Sequence, residues 1–452
     1  MPSANPQSPP YTVAVLGGGI AGLSLAIGLQ RHGVPFHLYE SAHAFAEVGA
    51  GVGFGPNSIR AMQLLDPRIR ESYDRLATGN SDRKGTWLEF RMGCDWRSGT
   101  DWKGNDARSN GMVKGDVDGE ERPTRIQVGD KITELNTTVD GKPFGQSSVH
   151  RAAFLDELVA LIPKQKVSFN HRVVAIDDLG AEGVRIRFEH GETATADAAV
   201  GCDGIKSRVR RIVLGEDNPA AHPSFTGKYA YRGLVPMDQA VALLGDGLAR
   251  NSVMYTGYHG HVITMPIEHG ATMNVVAFRT KPDGKWEDER WVLPTRKEDM
   301  RADFKGFGPS VRDILSLVQT PDLWALFDYP PAETYFKGRV CLLGDAAHAS
   351  TPHQGSGAGM AIEDAFVLSN LLGKVDDARE IETAFQAFDR IRRPRTQKLV
   401  TTSKEAGELW DLEAAGIGDD MEKFRADVQV RMDWIWDVDL EGQLREGKKG
   451  VF

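Results

Sequence analysis

The sequence predicts an α/β protein: a parallel-sheet domain that the chain visits three times, interleaved with a mainly antiparallel β-sheet domain and followed by C-terminal helices. Three observations carry this expectation. A complete strand–turn–helix–strand unit starts near Tyr11, further glycine turns at Gly201 and Gly344 each follow an apolar strand, and the stretches between them alternate like strands of a second sheet. The chain has 452 residues, more than one core organises, since single cores stop growing at roughly 250–300 residues.

Residues 1–10, with Pro2, Pro6, Pro9 and Pro10 among small polar residues, read as a disordered tail. Thr12-Val13-Ala14-Val15-Leu16 has the length and apolarity of a buried strand, Gly17, Gly18 and Gly19 make a turn, and Ala21 to His32 forms a helix that Gly33 ends. Val34-Pro35-Phe36-His37-Leu38-Tyr39-Glu40 returns as the second parallel strand. Residues 85–150 change character: Trp87, Trp96 and Trp102 stand among glycines and charges, with turn signals at Asp118-Gly119 and Asp140-Gly141, so the chain makes a strand-and-loop excursion. Helical spacing from Arg151 to Leu161 brings it back to the first domain through Gly204. Between 225 and 336, segments such as Tyr229 to Val235, Val262 to Met265 and Met273 to Phe278 read as strands of the second sheet. Gly338 to Asp345 supplies a last buried strand of the first domain, and helices follow, including an amphipathic tail around Trp410, Trp434 and Trp436.

Composition narrows the function. The net charge of −9 offers no basic field to a phosphate backbone, so nucleic acid is not an expected partner. Cys94, Cys202 and Cys341 lack the short spacing of a zinc site and are odd in number, so reduced, buried thiols and no metal are expected. The apolar stretch from Val13 to Leu29 is interrupted by Gly17, Gly18, Gly19, Gly22 and Gly28 and follows a leader without basic residues, unlike a secretory signal. No segment reads as a bilayer span, and a cytoplasmic location is expected.

Gly17-x-Gly19-x-x-Gly22 lies between strand and helix, where backbone amides at a helix N-terminus face a pyrophosphate and a Cβ would block its approach. Glu40, at the end of the second strand, is placed to accept hydrogen bonds from an adenosine ribose and disfavours a 2′-phosphate. Only one such fingerprint occurs, which points to one tightly held dinucleotide, FAD, rather than two. Gly49-Ala50-Gly51-Val52-Gly53-Phe54-Gly55 is either a close-approach loop against that cofactor, with Gly53 at its centre, or an ordinary glycine-rich loop. The segment Gly355-Ser356-Gly357-Ala358-Gly359 leads into a helix from Met360 to Leu372, whose positive end can stabilise negative charge on a reduced flavin.

The ordered set Gly17-Gly18-Gly19-Ile20-Ala21-Gly22, Gly201-Cys202-Asp203-Gly204-Ile205-Lys206-Ser207-Arg208-Val209-Arg210 and Gly344-Asp345-Ala346-Ala347-His348 resembles the group A flavoprotein aromatic hydroxylases. Among them it is most similar to the salicylate hydroxylases and related fungal monooxygenases, over nearly the whole chain after residue 10. The resemblance implies an FAD-binding Rossmann-like domain of glutathione-reductase type at 11–84, 151–204 and 337–390. A substrate-binding β-sheet domain would occupy 85–150 and 205–336, and a C-terminal helical segment 391–452.

The activity implied is hydride transfer from NADH or NADPH to FAD, reaction with O2 to a flavin C4a-hydroperoxide, and hydroxylation of a small phenolic substrate, with salicylate converted to catechol. Asp345 would bind the ribityl chain, Asp203 and Gly204 would shape the flavin and nicotinamide region, and Arg151 would contact the ribityl–pyrophosphate region, its bland alternative being a surface ion pair. Pro352 and His353 would line the catalytic face, His353 either as base or as a hydrogen-bonding positioner, with His348 structural. Arg232 would hold a phenolate or carboxylate, unless it merely pairs with a strand acid. Tyr231, Tyr255 and Tyr258 are pocket candidates by position, and Met265 stands where dearomatising relatives carry a tyrosine nearby. Rival readings are a biosynthetic hydroxylase of a larger phenol or polyketide, a flavin oxidoreductase without oxygen insertion, and a non-catalytic FAD-fold binding protein of the Rab escort type. A homodimer through the Trp-containing helices is an open expectation.

Overall fold

The computed structural model describes residues 11–45, 51–81, 85–94, 126–139 and 141–449. The expected tail at 1–10, Gly49-Ala50, Trp96, Trp102, Asp118-Gly119 and Asp140 lie outside the described residues. Val13–Leu16 is buried along its whole length, as a strand covered on both faces must be, and it pairs in parallel with Phe36–Tyr39 on one side and Ala198–Gly201 on the other. The six-stranded sheet runs Val167–Ser168, Phe36–Tyr39, Val13–Leu16, Ala198–Gly201, Val340–Leu342, Phe336–Lys337, and its last pair is antiparallel. Three separate stretches of sequence therefore deliver strand ends to one edge. The first helix, Ile20–Arg31, is buried from Leu23 to Leu29 because it lies between this sheet and the helix Gly357–Leu372.

The second sheet has eight strands in the order Val292–Pro294, Asp322–Asp328, Ser224–Pro236, Thr272–Thr280, Gly260–Ile267, Val253–Gly257, Thr86–Met92, Lys131–Asn136. All pairs are antiparallel except Val253–Gly257 with Thr86–Met92. Each sheet organises its own apolar core, and the C-terminal helices divide between them: Leu409, Trp410, Phe424, Val428, Ile435 and Trp436 pack with Phe90, Met254 and Val275 in the second, while Leu440 and Leu444 of the last helix join the first. A boundary at 390/391 is not realised, since both residues lie within the helix Ile381–Trp410. That helix is 30 residues long because its first half packs on the flavin-side core and its second half on the sheet domain, so it ties the two together. All three cysteines are buried. Among the described residues no helix is long and apolar enough to cross a membrane.

Candidate active site

The carboxyl edge of the parallel sheet opens into a cavity of about 1280 Å³ that continues along one face of the antiparallel sheet. That exceeds the roughly 300–1,000 Å³ of a single drug-sized ligand site, so the space suits a dinucleotide and a smaller second molecule. The glycine turn forms its floor. Gly17 has φ +113°, and a Cβ there would lie 2.4 Å from the Cys202 carbonyl oxygen, whereas a Cβ on Gly19 would meet no protein atom within 4 Å. Gly22 does not line the cavity, which corrects its expected contact role. A Cβ on it would stand 1.9 Å from the Gly17 carbonyl oxygen, so its task is to let the helix pack against the turn. Gly22→Ala is expected to force the two apart and weaken FAD binding roughly 5- to 150-fold, the equivalent of about 1–3 kcal/mol of overpacking. Fluorescence quenching on FAD titration measures this, and an unchanged Kd would refute it.

Glu40 reaches back to the turn: one carboxylate oxygen accepts from the Gly18 amide at 2.6 Å and the other from the Ala42 amide at 2.7 Å. The second oxygen also accepts from Ser41 Oγ at 3.1 Å, so the oxygen facing Gly18 keeps a further lone pair, and Glu40 lines the cavity together with Gly53 and Arg151. Asp203 and Gly204 also line it, but the Asp203 carboxylate is engaged with the protein, accepting from Ser207 Oγ at 2.5 Å and from the Arg208 and Val209 amides at 2.7 and 3.1 Å. Burial pushes its pKa up, against the pull of those hydrogen bonds. Its position caps the helix Arg208–Leu214, and Arg210 of that helix, fully buried, donates to the carbonyls of Ala346 and Ala347 at 3.1 and 2.5 Å. The middle motif thus braces the last one. Asp345, on that braced turn, exposes its carboxylate to the cavity and has no side-chain hydrogen bond among the described residues.

Gly355, Ser356, Gly357 and Ala358 border the same space at the start of the 16-residue helix Gly357–Leu372. The first amides of a helix have no intrahelical acceptor and carry its positive end. An open glycine turn, a partnerless carboxylate and a helix N-terminus around one elongated space match the pyrophosphate, polyol and electron-rich ring of FAD, so the residues fit the cofactor.

Beyond that ring position the wall is one face of the eight-stranded sheet, and strand parity decides which side chains reach it. Ala230 and Arg232 face the cavity; Tyr229 and Tyr231 face away, and both hydroxyls donate to Asp303 at 2.6 and 2.7 Å. Tyr231 is therefore not a pocket residue. Tyr255 is not one either, because its neighbour Met254 takes the cavity face, and Tyr258 donates to Asp419 at 2.9 Å away from the site. Met265 does line it, along with Ile263 and His261, which share its parity and could have been inferred from it. Pro352 and His353 close the end next to the helix start. Arg232 stacks over Trp324, 4.6 Å from the ring centroid, and makes no ion pair or hydrogen bond among the described residues. Burial first, then the nearby Arg151 charge, lower its pKa to about 10, against the weaker pull of Asp322, which stands opposite it on the neighbouring strand. From the C-terminal helices, Trp410, Val428 and Met432 complete the enclosure.

An FAD binding domain family matches residues 10–221 and 327–403. The chain is 40% identical to 6-methylsalicylate 1-monooxygenase atA of Aspergillus terreus, covering 96% of this chain and 91% of that one. It is 39% identical to the FAD-dependent monooxygenase orf3 of Aspergillus niger, over 96% and 95%, and 36% identical to a salicylate hydroxylase of Pseudomonas putida, over 96% and 94%. A solved salicylate hydroxylase substrate complex superposes with a TM-score of 0.81 at 36% identity, covering 97% of this chain and 98% of that one. With the glycine turn, the Asp345 carboxylate and the glycine-led helix gathered on one cavity, the chain belongs to the flavoprotein monooxygenases, in the branch that contains the salicylate hydroxylases.

Proposed function

We propose that this chain is an NAD(P)H-dependent hydroxylase of small phenolic acids, converting salicylate to catechol with release of the carboxylate as CO2. Arg232 carries this reading: a desolvated guanidinium, stacked on Trp324 and without an ion-pair partner among the described residues, favours an anionic occupant at the cavity face. A salicylate carboxylate or phenolate meets that need, and the apolar side chains of Ile263, Met254 and Val276 receive its ring.

Bound FAD supplies the passage of two electrons from the nicotinamide to O2. The chain's own residues do the rest. Gly17, Gly19 and Glu40 would hold the pyrophosphate and ribose end of FAD; Gly53, Arg151, Asp203, Gly204 and Asp345, which line the same cavity, would hold the polyol; Gly355, Ser356, Gly357 and Ala358 would offer the helix start to the ring. Arg232 orients the aromatic acid toward Pro352 and His353, and the apolar wall excludes water from the reacting atoms. The balance is one NADH, one O2 and two protons consumed per salicylate, one oxygen atom entering the ring and the other leaving as water.

The deciding experiment is NADH oxidation under ¹⁸O₂ with salicylate, with product followed by mass spectrometry. Catechol carrying one ¹⁸O is expected. NADH consumption that yields only peroxide removes salicylate as substrate, and an unlabelled organic product removes oxygen insertion altogether. A larger phenol is the second reading, favoured by the apolar reach of the cavity to Trp87, Leu135 and Met432. A higher kcat/KM for 6-methylsalicylate or a longer-chain analogue than for salicylate would select it.

A further inference from the structure

Behind His353 lies a buried polar array that cofactor binding does not use. His261 is fully buried on the strand Gly260–Ile267, and its Nδ1 lies 2.6 Å from Asp411 Oδ1. The other Asp411 oxygen accepts from Lys228 Nζ at 2.5 Å, and Lys228 also donates to Glu413 at 3.0 Å and to Thr280 Oγ1 at 2.7 Å. Burial alone would push the Asp411 carboxyl up, but Lys228 and His261 outweigh it and hold it well below the usual range. An ionised carboxylate only accepts, so His261 Nδ1 donates, and in the neutral ring the lone pair then sits on Nε2. That Nε2 is buried without a hydrogen-bond partner among the described residues.

His353 is in the same condition. Both of its ring nitrogens are buried and make no hydrogen bond of normal geometry among the described residues, with only a slight pull from the Ser403 backbone; its centroid is 5.4 Å from that of His261, and it rests against Phe278 and Gly407. Two adjacent imidazoles with complementary unsatisfied atoms are costly to bury unless they pair when the site is in use. At this separation a turn of the His353 ring about its Cβ–Cγ bond brings one of its N–H groups toward His261 Nε2.

We infer that Asp411 and His261 are positioning residues that act through His353: His353 donates to His261 Nε2, which fixes its tautomer and turns its remaining nitrogen, as a lone pair, toward the phenolic hydroxyl in the cavity. This rests on the phenol-hydroxylase reading. The step is a proton transfer without redox change: the substrate O–H bond breaks, an N–H bond forms on His353, and the imidazolium is stabilised through His261 by the Asp411 charge. The proton leaves to solvent after the product. This is the logic by which a buried carboxylate orients a catalytic imidazole, with one more ring in the chain. The titratable groups that face His353 are His261 from its strand, Asp411 after the long helix, and Lys228 from the strand Ser224–Pro236. Burial drives the His353 pKa well below the ordinary imidazole value, so His353 rests neutral and ready to accept.

The test uses the FAD-loaded full chain with ¹⁵N-labelled histidine. Wild-type His353 is expected to show one neutral tautomer between roughly pH 6 and 9, the range across which an ordinary imidazole loses its proton. In His261→Phe the same signals should become a tautomer average; unchanged signals would overturn the relay. In turnover with salicylate, His261→Phe is expected to lose about 10²-fold in kcat, the lower end for general-base catalysis, with little change in KM and with recovery as pH rises. His261→Gln, whose amide can both donate to Asp411 and accept from His353, should keep most of the activity and a single His353 tautomer; loss equal to that of the phenylalanine variant would count against the relay, and it serves equally if the phenylalanine variant fails to fold. A wild-type protein that hydroxylates no phenol sinks the hydroxylase reading, while the tautomer spectra still decide the His261–His353 contact.

Discussion

Replacing Arg392 by methionine is expected to lower stability by about 3–5 kcal/mol, as when one partner of a buried ion pair is removed, and to loosen the FAD site with it. Arg392 has no exposed surface; its Nη2 lies 2.7 Å from Glu363 and its Nε 2.7 Å from Asp364, both on the glycine-led helix. Glu363 also binds Arg395 and accepts from Asn57 at 2.7 Å, and Asp364 pairs with His348 Nε2 at 2.6 Å and accepts from the Gly344 amide at 3.3 Å. The lattice therefore ties the helix whose start borders the cavity to the turn that presents Asp345. Burial raises both carboxyls, but Arg392 and Arg395 at Glu363, and His348 and Arg392 at Asp364, override it and leave both pKa values lowered. A lowered folded pKa means stability that is complete above the unfolded carboxylate value of about 4 and lost as pH falls through the folded one. Without Arg392 the folded pKa values rise, so acid unfolding should begin at higher pH. Urea midpoints followed by tryptophan fluorescence and by flavin release measure both effects; a midpoint equal to wild type would remove the lattice from the account of stability.

The glycine turns and helix start that meet at this cavity were legible because the demands they answer are local in sequence. Gly17, Gly19, Glu40, Asp345 and the Gly355–Gly359 segment act within a turn or a helix start, and backbone geometry makes the same demand wherever such a turn occurs. The substrate half is tertiary. Which parity of a strand faces the cavity depends on the layer packed behind it, and helices around Asp303 claim Tyr229 and Tyr231, leaving Arg232 to the site. Position alone therefore misplaced Tyr231 and Tyr255, while Met265 lines the cavity. His261 and Asp411 are 150 positions apart and form no pattern until the long helix carries Asp411 back over the second sheet. The domain division failed at 390/391 for a related reason, since a helix shared by two cores has no composition break to read.

Arg232→Leu is expected to cut kcat/KM for salicylate by roughly 10²–10³-fold, consistent with the 2–5 kcal/mol lost when one member of a desolvated charge pair is truncated. The guanidinium is not held by a protein carboxylate among the described residues, so its charge is available to substrate. A phenol lacking the carboxylate should lose far less, and that difference separates charge recognition from damage to the strand Ser224–Pro236. Arg232→Lys should recover only part of the loss, because lysine restores the charge but neither the planar fork nor the stacking on Trp324. FAD affinity should hold in both variants if Arg232 recognises substrate rather than cofactor. The pH dependence follows from the lowered pKa of about 10: the cationic form binds the anion, so KM for salicylate should climb as pH rises toward 10, well before an ordinary arginine would begin to lose its proton. A KM that stays flat across that range, together with equal losses for acidic and neutral phenols in Arg232→Leu, would move the anion-binding role away from Arg232 to Arg151, a further guanidinium lining the cavity, whose charge acts on it.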